Sequence, residues 1–99
     1  MSVLIDFSIF PVGKGESVSS YVAQAVEIIR ASGLVHKLGP MGTTIEGDWN
    51  EVLEVVTRCF EALKKDCDRV YLTIKADYRK GPPGRIENKV KAVESRLEP

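Results

Sequence analysis

The stretch Ser32-Gly-Leu-Val-His-Lys-Leu-Gly-Pro-Met-Gly-Thr-Thr-Ile-Glu46, with Gly47, Asp48 and Trp49 behind it, decides how this chain folds. Gly33 is the residue type that ends a helix in the left-handed conformation. The apolar residues from Leu34 to Leu38 suit a short strand, and Gly39, Pro40, Met41 and Gly42 suit a turn. Thr43 to Glu46 reads as a returning strand, so the segment is a hairpin set between two helices. Turn chemistry accounts for the glycines and the proline. It does not account for Thr43, Thr44 and Glu46 gathered beside the turn, and that set marks a candidate ligand site.

Working outward, Val3 to Phe10 alternates as a strand does: Val3, Ile5, Phe7 and Ile9 toward a core, Leu4, Asp6, Ser8 and Phe10 away from it. Pro11 to Gly15 is a loop. Ser17 is placed to cap a helix whose apolar stripe is Val18, Val22, Ala25 and Ile29, widened by Val26. Beyond the hairpin, Asp48 with Glu51 resembles a capping box. It opens a helix with Val52, Val56, Cys59 and Leu63 inward and Leu53 and Phe60 at the margin. Trp49 is expected to pack into the core at the first turn. Arg69 to Ala76 is the last strand, with Val70, Leu72, Ile74 and Ala76 toward the core and Tyr71, Thr73, Lys75 and Asp77 away. After Gly81-Pro-Pro-Gly84, a final helix carries Ile86, Val90, Val93 and Leu97 on one stripe.

The order β-α-β-β-α-β-α contains two β-α-β halves joined by a hairpin. Right-handed crossovers put both connecting helices on one face of a four-stranded antiparallel sheet. The expected fold is therefore α+β, a ferredoxin-like sandwich with an extra C-terminal helix, as one domain over residues 1–99. Its other sheet face is left uncovered. A face holding Leu4, Phe10 and Tyr71 among polar residues is typical of an interaction surface. Two sheets facing each other across a two-fold axis would cover it, giving a homo-oligomer, either a dimer or a tetramer of dimers.

Composition narrows the function. Fourteen basic residues balance fourteen acidic ones, so the chain lacks the basic footprint of a nucleic-acid binder. No apolar run approaches the roughly 20 residues that span a bilayer. The start Met1-Ser-Val-Leu-Ile-Asp6 meets a carboxylate too early for a signal peptide, which makes the cytoplasm the expected location. Cys59 and Cys67 do not form a Cys-x-x-Cys pair, and His36 is the single histidine. Neither a metal site nor a structural disulfide is expected. No nucleophile-base set suggests an enzyme.

Ser17-Val-Ser-Ser-Tyr-Val-Ala23, Gly39-Pro-Met-Gly-Thr-Thr-Ile-Glu-Gly47 and Arg69-Val-Tyr-Leu-Thr-Ile-Lys75 together resemble the small thiamine-binding protein family. The resemblance covers essentially the whole chain. It implies a ferredoxin-like domain that oligomerises and binds thiamine or a related hydroxymethylpyrimidine-like molecule without catalysis, with thiamine as ligand and no cofactor. The expected ligand-binding residues are Asp6, Ser8, Ser17, Ser19, Tyr21, Met41, Thr43, Thr44 and Glu46. Lys14, in the Gly13-Lys-Gly-Glu-Ser loop ahead of a helix, is a candidate phosphate contact. Alternation puts Thr44 and Glu46 on one face and Thr43 on the other, so the two threonines have different roles. A carboxylate at Glu46 suits the exocyclic amine or a protonated ring nitrogen of an aminopyrimidine. Two other functions fit the same residues: an assembly or regulatory module with no small ligand, and a small phosphate-ester or acyl-phosphate hydrolase using the Lys14 loop. If no metal or disulfide supports the fold, chelator and reductant should each leave the melting temperature unchanged. A drop of several degrees with either one would refute this reading of His36, Cys59 and Cys67.

Overall fold

The structure, a computed structural model, describes residues 2–15 and 18–97. Its elements are β1 (Ser2–Pro11), α1 (Ser19–Ala31), β2 (Val35–Leu38), β3 (Thr43–Gly47), α2 (Trp49–Lys64), β4 (Val70–Arg79) and α3 (Arg85–Glu94). The four strands form one antiparallel sheet in the order β2-β3-β1-β4. This is the ferredoxin-like arrangement expected from the sequence, with β1 and β3 in the centre.

The core follows the alternation along β1. Val3, Ile5, Phe7 and Ile9 are buried with Ala25 and Ile29 of α1 and Val52, Val55, Val56, Cys59 and Leu63 of α2. The Cys59 thiol donates to the Ala25 carbonyl at 3.5 Å, tying the two helices together. Burial pushes that thiol up to about 11, which makes it a poor nucleophile. Cys67 is also free and buried.

The helix starts differ from the sequence reading. The first helix is preceded by Val18 as N-cap, with no side-chain cap bond, and Ser17 lies outside the described residues. Asp48 precedes α2 in extended conformation, but its side chain makes no cap bond. Its carbonyl accepts from the Val52 amide instead. Trp49, the first residue of α2, is exposed rather than in the core, although its spacing puts it on the same stripe as Val52 and Val56. Gly33 does adopt the left-handed conformation, with φ 76°.

The second sheet face is less open than the sequence suggests. Helix α3 sits on it, held by a buried carboxylate. Glu46 is 4% exposed. Its oxygens accept from the Gly84 amide at 3.1 Å, the Arg85 amide at 3.2 Å and the Ser2 hydroxyl at 3.1 Å. The orphan amides at the start of α3 are thus capped from another strand rather than from within the helix. Arg85 then crosses β1 to reach Asp77 on β4, donating to its carbonyl at 3.0 Å and its carboxylate at 2.6 Å. Lys89 meets the same carboxylate at 2.6 Å. These contacts, Lys89 first, hold the Asp77 carboxyl below the usual carboxylate range.

Two apolar stripes are not buried as expected. Ile74 and Ala76 lie on the helix side of β4 but are exposed, because α1 and α2 do not reach the second half of that strand. Val90, Val93 and Leu97 of the last helical segment are 52%, 61% and 66% exposed. Removing the cap should loosen α3 without touching the core. Glu46→Ala deletes a charged acceptor of buried amides, which costs on the order of 1.5–3 kcal/mol. The melting temperature should fall by about 10 °C in a calorimetric scan. A change below about 2 °C would contradict the capping role.

Candidate functional site

The hairpin turn brings the chain back against α1. The Gly39 amide bonds to the Gly42 carbonyl at 2.8 Å and closes the turn. Gly42 then passes so close to β1 that a Cβ there would lie 2.9 Å from the Phe7 carbonyl oxygen and 3.2 Å from Asp6 Oδ1. Only glycine lets the turn approach the strand this way. The result is a cavity of about 290 Å³ between α1, the end of β1 and the turn. Its walls are apolar, chiefly Val18, Val22 and Val26 of α1 facing Phe7 and Ile9 of β1.

Polar groups enter this cavity from one side. The turn residues Gly39 to Thr43 line it, and Thr43 is 4% exposed. Met41, 89% exposed, stands at the rim. Among the described lining residues none carries an ionisable side chain. The nearest carboxylate on this strand end is Asp6, just behind Gly42 and exposed on the opposite sheet face. A slot of this kind takes a small flat molecule by burial of its ring faces, with a few hydrogen bonds at one edge fixing its orientation.

The expected site residues divide among several places. Thr43 and Met41 join the cavity, and Ser8 borders it. Asp6, Ser8 and Thr44 have their side chains on the other sheet face, as their pairing register requires: Asp6 is opposite Thr44 on β3 and Lys75 on β4. Ser8 there shares a 2.7 Å bond with Thr73. Glu46 shares that face but is occupied in holding α3, so the structure does not bring its carboxylate to the cavity. Tyr21 packs against the core at the side of α1. Ser19 lies exposed in the first turn of α1, and Lys14 is exposed in its loop. Ser17 is outside the described residues.

The sequence reading missed the valines. Val18, Val22 and Val26 belong to a stripe that reads as core, yet they are only partly buried because they face the cavity. Val26 was the available signal, since it widens the stripe beyond what a two-layer core requires. Leu38, at the end of the expected strand, and the turn formers Gly39 and Pro40 also form wall. His36 is half-buried, its Nδ1 2.9 Å from the Leu34 carbonyl. Among the described residues no group of three or more His, Cys, Asp or Glu side chains is placed to hold a metal ion. Among the described residues no helix is long and apolar enough to cross a membrane.

Comparison with known proteins places this geometry in a lineage. A UPF0045-family protein of Mycobacterium bovis is 44% identical, over 98% of this chain and 96% of its own length. The Methanocaldococcus jannaschii protein MJ1052, described as hypothetical, has a crystal structure that matches with a TM-score of 0.87 at 39% identity, covering 94% of this chain and 96% of that one. A Thermotoga maritima protein proposed to act in thiamine biosynthesis or salvage matches with a TM-score of 0.82 at 26% identity, covering 94% of this chain and 99% of that one. The model of the family described as thiamine-binding protein matches residues 5–94. With that match spanning nearly the whole domain, the chain belongs to the thiamine-binding protein family.

Proposed function

We propose that this protein binds thiamine or a related aminopyrimidine, without catalysis, in the cavity between α1 and the 38–43 turn, and that it works as a homo-oligomer. The observation that carries the reading is the cavity itself. It has two apolar walls and one polar edge, formed by Thr43 and the main chain of the turn. An aminopyrimidine has two apolar faces and a polar edge of ring nitrogens and an exocyclic amine, so the two surfaces correspond. The family match and the description of the Thermotoga maritima relative favour the same ligand class.

The positive thiazolium requires a different contact. With Glu46 committed to α3, the nearby carboxylate is Asp6, reached past Gly42. An exposed carboxylate of this kind adds only about 0.2–1 kcal/mol. Asp6 should therefore favour cationic thiamine over a neutral aminopyrimidine without dominating either. The non-catalytic reading rests on the wall chemistry, which offers the hydroxyl of Thr43 but no base beside it.

Thermal shift tests this directly. Thiamine at a hundred times its dissociation constant adds roughly 2.7 kcal/mol to the native state. For a domain of about 100 residues the midpoint should rise by about 10 °C or more. Val22→Trp should fill the slot and abolish the shift while the protein remains folded. Asp6→Asn should weaken thiamine about two- to fivefold and leave a neutral aminopyrimidine unchanged. If neither ligand moves the midpoint of well-folded protein, the reading is wrong.

A further inference from the structure

A second cavity lies where the end of β4 meets α3. Its volume is about 520 Å³, within the range of small-molecule sites. The end of β4 forms its floor, the 80–83 loop closes one end and α3 supplies a wall. Among the described residues it shares no lining with the slot between α1 and the turn. Alternation along β4 puts Arg79 on the same face as Asp77. Helical spacing puts Asn88, Lys89 and Ala92 on the same side of α3 as Arg85, and the short Ala92 side chain keeps the space open.

The charge lining this cavity is one-sided. Arg79, Lys80, Arg85 and Lys89 stand against a single carboxylate, Asp77, a surplus of three positive charges. The chain as a whole is neutral. Glu87, in the first turn of α3, is turned to Lys91 at 3.7 Å and does not line the cavity. A solvated helix face mixes both signs, and α3 does so there, away from the cavity.

Two of the four cations are fixed in place. Arg85 is 8% exposed, and its guanidinium donates to the Asp77 carbonyl at 3.0 Å and to Oδ2 at 2.6 Å. Lys89 donates to the same Oδ2 at 2.6 Å. One carboxylate thus positions two cations and neutralises only one. A guanidinium has five N–H donors and an ammonium three, so both keep donors for a further acceptor. Arg79 and Lys80 make no ion pair among the described residues. The loop behind them carries Pro82 and Pro83, whose fixed φ limits the freedom the loop can lose when a ligand binds.

We propose that this cavity binds a phosphorylated small molecule through its phosphate groups, a diphosphate more tightly than a single phosphate. A surplus of three charges calls for an anion of more than one. A phosphate ester carries about −1.5 to −2 at pH 7, whereas a monocarboxylate would leave two of the cations unmatched. The planar forks of Arg79 and Arg85 suit phosphate oxygens. This site goes beyond the proposed function and shares no residue with it, so either can fail alone.

Calorimetric titration of the full chain with inorganic pyrophosphate tests the proposal. Binding should saturate, and it should be at least about fivefold tighter than that of inorganic phosphate. Arg79→Gln combined with Lys80→Gln changes two exposed side chains, so the melting temperature should hold. Pyrophosphate binding should weaken by about tenfold or more. Lys14→Gln combined with Lys65→Gln is the control. It removes the same charge beyond the opposite end of β4, where Val70 pairs with Pro11. Its effect should stay below about twofold, because salt screens charges at that range. Vesicles of phosphatidylcholine and phosphatidylglycerol should not bind. Three results would each overturn the inference: no saturable binding of pyrophosphate, an equal loss in both double variants, or vesicle binding that the Arg79 and Lys80 variant abolishes. None of them would bear on whether thiamine binds.

Discussion

The alternation of side chains along β1, pinned on both sides by β3 and β4, is the constraint from which the rest of the molecule follows. Because β1 is central, a slip of one residue would exchange its two faces completely. Val3, Ile5, Phe7 and Ile9 would leave the core, and Asp6 would enter it. The register also fixes what stands on the outer face. Leu4 is flanked by Glu46 and Asp77, Asp6 by Thr44 and Lys75, and Phe10 lies beside Tyr71. The anchor of α3, the polar row and the aromatic pair are thus three levels of a single ladder. The cavity depends on it too, since Phe7 supplies both a wall and the carbonyl that Gly42 approaches.

Much of this was legible in the sequence because short-range signals agreed with one another. The strand period of Val3 to Phe10, the stripe of α2 and the Gly-Pro-Met-Gly turn each point to one structure, and together they leave a single topology. The inward and outward faces of β1 are where alternation puts them. The fate of Glu46 was not legible. Alternation gives its face correctly, but its partners Gly84 and Arg85 are 38 and 39 residues away. Nothing local says that the carboxylate caps a helix rather than meets a ligand. The same limit applies to Val22 and Val26, whose spacing shows that they face inward but not whether protein or space lies opposite.

The exposed stripes of β4 and α3 show a further limit. Periodicity reports which residues avoid water and does not say which chain shelters them. Ile74, Val90 and Val93 read as core from their spacing, and they are exposed because the described residues supply no cover.

The central claim is that the apolar slot between α1 and the turn holds the ligand. Methyl and amide NMR during a titration with thiamine tests it most directly. Saturable shifts are expected in Val18, Val22, Val26 and Thr43, with Thr44, Lys75 and Glu46 nearly unmoved. Saturable shifts confined to Glu46, Gly84 and Arg85, or to the Asp6, Thr44 and Lys75 row without the valines, would contradict it.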